Sequence, residues 1–142
     1  MNASFLTPPE WLMGDWVRAC ADPGTLHAQR CTSCGFWRHP PRRFCAACSS
    51  PSWTFEAVAG TGTVRSFAVS HRSLDPAWHA HAPFVTLVVE LDEGPRMLAA
   101  TRHRAGDTAI GDRVQLSLER RSDVDIPLVW AERVRSGPAA AT

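Results

Sequence analysis

Cys31-Thr32-Ser33-Cys34, ten intervening residues and then Cys45-Ala46-Ala47-Cys48 make up the stretch that decides the fold. Each Cys-x-x-Cys pair forms a knuckle, a tight turn that offers two thiolates. Two knuckles complete a tetrahedral four-sulfur shell of the kind that holds zinc. Four sulfurs leave no open position for water, so the expected ion is structural rather than catalytic. Gly35, directly after the first pair, suits the positive φ that such a turn needs. The surrounding residues are too poor in apolar side chains to fold alone, and zinc would contribute on the order of 10–16 kcal/mol of local folding free energy. Two disulfides would require an oxidising compartment. Iron can use the same four ligands, whereas an iron–sulfur cluster would call for further spaced cysteines. Cys20 is left over. It reads as a buried helix cysteine rather than a nucleophile, because no histidine lies close in sequence to activate it.

On the N-terminal side, residues 1–23 read as a helical segment. Thr7-Pro8-Pro9-Glu10 has the capping hydroxyl, early prolines and first-turn acid of a helix start. Trp11, Leu12, Trp16, Val17 and Cys20 then share a helical stripe, and Asp22-Pro23-Gly24 ends it. Two tryptophans on so short a helix leave two readings, docking on this chain's own body or packing on a partner. On the C-terminal side the texture changes. Short runs rich in valine, leucine, threonine and phenylalanine span Ser52–Ala59, Thr63–His71, Phe84–Asp92, Arg96–His103, Arg113–Arg121 and Ile126–Val134. Alternation such as Val114, Leu116, Leu118 marks half-buried antiparallel strands, and Asp92-Glu93-Gly94-Pro95 is a hairpin turn signal. Five or six strands without an intervening helix match a small OB-type barrel. The Ser73–Pro83 loop is long for a hairpin and carries Trp78, a candidate contact residue. The expected organisation is a helical segment over 1–23, a zinc ribbon over 24–51, an OB-fold domain over 52–135 and a disordered tail over 136–142.

Bulk properties narrow the function. The 142 residues carry 15 basic and 14 acidic side chains, too even a balance for a general polyanion binder. All of the basic side chains other than histidine are arginines, and tyrosine is absent. No apolar run approaches 18 residues, and Met1–Trp11 lacks the pattern of a secretory signal. The expected compartment is the cytoplasm, where paired cysteines suggest metal before disulfide.

With these motifs in view, the chain resembles the zinc-ribbon/OB-fold proteins that accompany thiolases and related acyl-CoA enzymes. The resemblance rests on Gly24 to Gly35, on Pro40-Pro41-Arg42 followed by Cys45 and Cys48, and on Gly60-Thr61-Gly62-Thr63-Val64-Arg65-Ser66-Phe67. Val89 to Gly94 and Ile110 to Val114 extend it, so that it covers roughly residues 10–134. It implies a mainly β fold with an N-terminal helix, a rubredoxin-like zinc ribbon and a C-terminal OB-fold barrel. It also implies a non-catalytic accessory subunit that binds a thiolase-like protein, in a heterotetramer by analogy with dimeric thiolases. The partner's chemistry would be of thiolase or retro-aldol/Claisen type, for instance in steroid or aromatic side-chain degradation. The chain itself would help to bind or channel the acyl-CoA. No membrane or nucleic-acid partner is implied.

No catalytic constellation emerges from the residues. His71, His79 and His81 near Asp75 read as loop histidines, and neither a Gly-x-Ser-x-Gly element nor a phosphate loop is present. Arg30, Arg38, His39, Arg42 and Arg43 form a basic group on the ribbon. Guanidinium forks bind phosphates and carboxylates bidentately. Arg38, Arg42 and Arg43, together with Trp11, Trp16 and Trp78, are therefore candidates for contact with acyl-CoA or a partner, the alternative being a solvated basic knuckle. A nucleic-acid-binding module is the competing function, since ribbons and OB barrels both serve there. The near-neutral charge and the shortage of stacking aromatics beyond Phe67 and Phe84 weigh against it.

Overall fold

A computed structural model describes residues 12–120 and 127–134, with the backbone alone at Ala77 and Trp78. Trp11 and the expected tail therefore lie outside the described residues, as does the side chain of Trp78.

Helix α1 (Leu12–Ala21) presents Trp16, Val17 and Cys20 to the interior, a spacing that puts them on one face. Its outer face carries an ion pair between Asp15 and Arg18 at 2.5 Å. Gly24, at φ 68°, turns the chain into strand β1 (His27–Cys31). This strand is the centre of a three-stranded antiparallel sheet, flanked by β2 (Trp37–Arg38) and β3 (Trp53–Ala57). Gln29 faces Arg38 across one ladder, and Cys31 faces Trp53 across the other. The Ser52–Ala59 run, grouped by pattern with the barrel strands, thus pairs with the ribbon instead. Its alternation is the same in either sheet, and only the long-range register with β1 decides.

The remaining strands close into a barrel. Strand β4 (Thr61–Ser70) pairs antiparallel with β5 (Phe84–Leu91), which pairs with β6 (Arg96–Thr101). A one-turn helix, α2 (Pro76–His79), lies between β4 and β5, and the 92–95 turn joins β5 to β6 as a tight hairpin. Strands β7 (Arg113–Glu119) and β8 (Leu128–Arg133) complete the order β4-β5-β6-β8-β7, with β7 returning to β4. Among the described residues, only the β6–β8 contact is parallel. This closed five-stranded arrangement is that of an OB-fold.

Strict alternation along β5 sends Val85, Leu87, Val89 and Leu91 inward, where they meet Met97, Val114 and Leu116. Each such side chain contributes roughly 1.5–3 kcal/mol through burial. The apolar cluster continues through Val58 and Leu26 to Trp16 and Cys20, so helix, ribbon and barrel share one core. Entry into β4 depends on glycine. Gly60 adopts φ 77°, and a Cβ there would lie 2.9 Å from the Leu116 carbonyl oxygen. A clamp holds the closure from outside. Arg113 donates to both carboxylate oxygens of Asp92 at 2.7 Å, and Thr61 donates to the same carboxylate at 2.7 Å. Arg113 first, then Thr61, hold the Asp92 carboxyl well below the usual carboxylate range.

Candidate metal centre and ribbon surface

Cys31 closes β1, and the chain turns at once through residues 32–34 to Cys34. The second knuckle repeats that geometry. Gly35 N–H donates to Cys31 O at 2.9 Å, and Ser49 N–H donates to Cys45 O at 2.8 Å. Likewise Cys31 N–H donates to Phe36 O at 2.9 Å and Cys45 N–H to Ser50 O at 2.9 Å. Gly35 (φ 76°) and Ser49 (φ 60°) occupy the same left-handed position after each pair. A glycine was readable at the first knuckle, but the serine gives no sign of its conformation. The serine hydroxyls of Ser33 and Ser50, 2.8 Å apart, tie the two knuckles together.

The four sulfurs converge. Cys31 and Cys48 Sγ are 3.6 Å apart, as are Cys34 and Cys45 Sγ, and all four lie within 4.8 Å of one another. A zinc ion about 2.3 Å from four tetrahedral sulfurs holds them about 3.8 Å apart, whereas a disulfide requires about 2.05 Å. All four cysteines are free thiols, so the geometry fits a structural zinc site and not a pair of disulfides. Backbone N–H groups prepare the shell for negative charge. That of Cys34 foremost, with that of Ser33, brings Cys31 down to about 6. At Cys34 the Phe36 N–H acts in the same direction, but Cys48, burial and the other thiols push it up to about 12. Four thiolates this close repel one another, and a divalent cation at their centre removes that conflict. When bound, zinc supplies a cross-link between the two knuckles. With all four positions filled by sulfur, it has none left for a substrate.

Beside the sulfurs lies a polar group that the sequence did not reveal as such. Gln29, fully buried, accepts Arg38 Nε at 2.5 Å and Arg42 N–H at 2.8 Å through its Oε1. Arg38 in turn donates from Nη2 to Arg42 O at 3.2 Å. Arg38 is only 7% exposed, so this candidate contact residue faces the chain's own interior. Its position opposite Gln29 in the ladder causes the burial. Trp16, for which docking on the chain's own body was one of the two readings, also turns inward. Its ring is buried against the ribbon, donating Nε1–H to His27 O at 2.7 Å and packing on His39 with centroids 4.7 Å apart. Burial first, then the Arg42 charge, push the His39 imidazole down to about 4. Arg42 and Arg43, by contrast, are exposed. Cys20 is wholly buried beneath the His27 N–H, and burial raises its thiol to about 11, well away from a reactive thiolate.

Among the described residues, two of the recesses lie on the barrel. One, of about 390 Å³, is lined by His81, Arg102, His103, Arg104, Glu119 and Trp130 among others. Arg102 sits over the Trp130 ring at 4.2 Å. The other, of about 270 Å³, is lined by His71, Arg72 and His79. The loop histidines are thus divided between two recesses rather than gathered at one centre. Among the described residues, no helix is long and apolar enough to cross a membrane.

Two family profiles match the chain in succession. "ChsH2, rubredoxin-like zinc ribbon domain" covers residues 19–54, and "ChsH2, C-terminal OB-fold domain" covers residues 55–119. Among solved structures, a chain of the Ltp2-ChsH2(DUF35) aldolase superposes with a TM-score of 0.72 at 33% identity, over 82% of this chain and 90% of that one. A DUF35 protein of unknown function from Sulfolobus solfataricus superposes with a TM-score of 0.53 at 13% identity, over 72% and 75% of the two chains, a likeness of fold alone. In sequence, a probable enoyl-CoA hydratase alpha subunit of Thermomonospora curvata is 41% identical over 83 residues, 58% of this chain. This chain spans only 25% of that relative's length. A DUF35 domain-containing scaffold protein of Methanocaldococcus jannaschii is 28% identical over 99 residues, 68% of each chain.

Proposed function

The chain belongs to the ChsH2 (DUF35) family of zinc-ribbon and OB-fold proteins, and from that premise we propose that it is a non-catalytic accessory subunit of a thiolase-like acyl-CoA enzyme. The likeness to a chain of the Ltp2-ChsH2(DUF35) aldolase, spanning 82% of this chain and 90% of that one, carries this reading. The closed four-cysteine shell supports it, since a metal with no open position stabilises a fold and activates nothing. In this reading the carbon–carbon bond chemistry resides in the partner. The ribbon and barrel stabilise that partner and help to shape its acyl-CoA channel. A two-plus-two assembly follows from the two-fold symmetry of thiolase-like dimers.

The test is a tagged pull-down of the zinc-loaded chain from native lysate, with mass spectrometry of what co-purifies. The expected result is a near-stoichiometric thiolase-like protein whose activity falls when this chain is stripped away. Co-purifying nucleic acid in its place, or a partner equally active alone, would overturn the proposal.

A further inference from the structure

Residues 23–55 contain four arginines, Arg30, Arg38, Arg42 and Arg43, and neither Asp nor Glu. Arg30 reaches out of the segment to Glu56 at 2.9 Å. Among the described residues, no carboxylate pairs with the other three. A zinc tetrathiolate carries two net negative charges, so the three guanidiniums leave the ribbon in positive excess even when it is loaded. Phe44, next to the exposed pair Arg42-Arg43, is 59% exposed, and Phe36 is 46% exposed.

The loop that presents these side chains is held from beneath at unusual cost. Both polar groups of the Arg42 backbone are bound by buried side chains, the N–H by Gln29 and the carbonyl by Arg38. Gln29 Nε2 and Arg38 Nη1 are left buried without a partner. Burying a guanidinium without a carboxylate is unfavourable, and nothing in the ribbon's own core requires it. Its effect is to fix the backbone beneath Arg42, Arg43 and Phe44, which reduces the ordering cost of binding there. Two exposed cations beside an exposed phenylalanine, on a loop whose backbone is held by buried side chains, match the composition of an interface anchor. The two recesses described above lie on the barrel and not at this tip.

We propose that Arg42-Arg43-Phe44 is the docking tip of the ribbon for an acidic protein surface: carboxylates of the partner enzyme take the two exposed guanidiniums, and Phe44 enters an apolar hollow beside them. Gln29 and Arg38 are positioning residues for this tip. The inference rests on the accessory-subunit reading and names the chemistry of its interface.

The test uses the full zinc-loaded chain and the thiolase-like enzyme that co-purifies with it, titrated calorimetrically at low and high salt. The Arg42→Glu/Arg43→Glu variant, checked for an unchanged zinc content, is expected to weaken binding by more than about 100-fold. Raising NaCl should weaken the wild type but hardly affect an Arg42→Ala/Arg43→Ala variant. Arg38→Met should weaken the wild type yet cost little in the Arg42→Ala/Arg43→Ala background, which general destabilisation would not reproduce. Wild-type affinity in the charge-reversed chain would overturn the inference and leave the proposed function standing. Loss of coenzyme A or oligonucleotide binding in that variant, with enzyme binding intact, would overturn it as well. If the wild type forms no complex with any such enzyme, both fail.

Discussion

An alanine at position 62 would have to find room where β4 passes between two partners. Gly62 pairs with Leu91 on one side and with Val114 on the other. An added Cβ would lie 2.5 Å from the Glu90 carbonyl oxygen and 2.7 Å from Val89 Cγ1. Carbon–oxygen contacts normally begin at about 3.3 Å, so the β5 backbone would have to retreat by about 0.8 Å. Val89 is fully buried and has nowhere to swing. Overpacking of this kind costs about 1–3 kcal/mol and sometimes more, and obstruction by backbone places Gly62→Ala near the top of that range. The reduced entropy of the unfolded chain offsets about 0.4–1 kcal/mol, leaving a net loss of about 2 kcal/mol. With a urea slope of about 1–3 kcal/mol per molar, the midpoint should fall by about 1 M in the zinc-loaded protein. Gly106→Ala is the control, because a Cβ there meets nothing within 4 Å. It should leave stability unchanged or raise it slightly. If Gly62→Ala melts together with Gly106→Ala, the close approach of β4 to β5 described above is incorrect.

Three further outcomes are expected. Ser49→Gly should raise stability by about 0.5–1 kcal/mol, since relief of a left-handed residue is worth about 1–2 kcal/mol and glycine's entropy returns part of it; thermal melts that fail to move would refute the equivalence of the knuckles. Chelation of zinc should remove the order of the ribbon, a loss on the order of 10 kcal/mol of local folding free energy, read as collapse of Trp16 and Trp37 fluorescence shifts; an unchanged spectrum would show that the thiols hold the ribbon without metal. His39 binds fewer protons folded than unfolded between its folded value of about 4 and its ordinary value of 6.5, so stability should rise with pH across that window and be fully present above it. Integration predicts a loss of about 2 kcal/mol on going from pH 7.5 to pH 5 in excess zinc, a loss that His39→Phe should flatten and that would be disproved by parallel pH profiles of the two proteins.

Local chemistry made part of this structure readable. Cys31, Cys34, Cys45 and Cys48 declare their knuckles by spacing alone, and the 92–95 turn declares its hairpin, because each depends on neighbours a few residues away. The inward face of β7 was equally plain from the alternation of Val114, Leu116 and Leu118. What sequence could not supply was register. Trp53 to Ala57 alternates like any barrel strand and joins the ribbon only because Cys31 faces Trp53. Arg38 looks like a surface residue until Gln29 is seen across the ladder, and Trp16 looks available until His39 is found against it. Ser49 illustrates another limit, since tertiary geometry imposed a conformation that its residue type does not favour.

The seam between β6 and β8 rests on one register pair, Ala100 with Trp130, and runs parallel, whereas the strands on either side of it are joined by longer antiparallel ladders. A closed cylinder opens where its perimeter is least fastened. Amide protons along Ala100, Thr101 and Trp130 should therefore exchange through a local excursion well below the energy of global unfolding. That excursion would part the wall of the barrel beside the Arg102–Trp130 recess, giving that side of the barrel a breathing motion of its own.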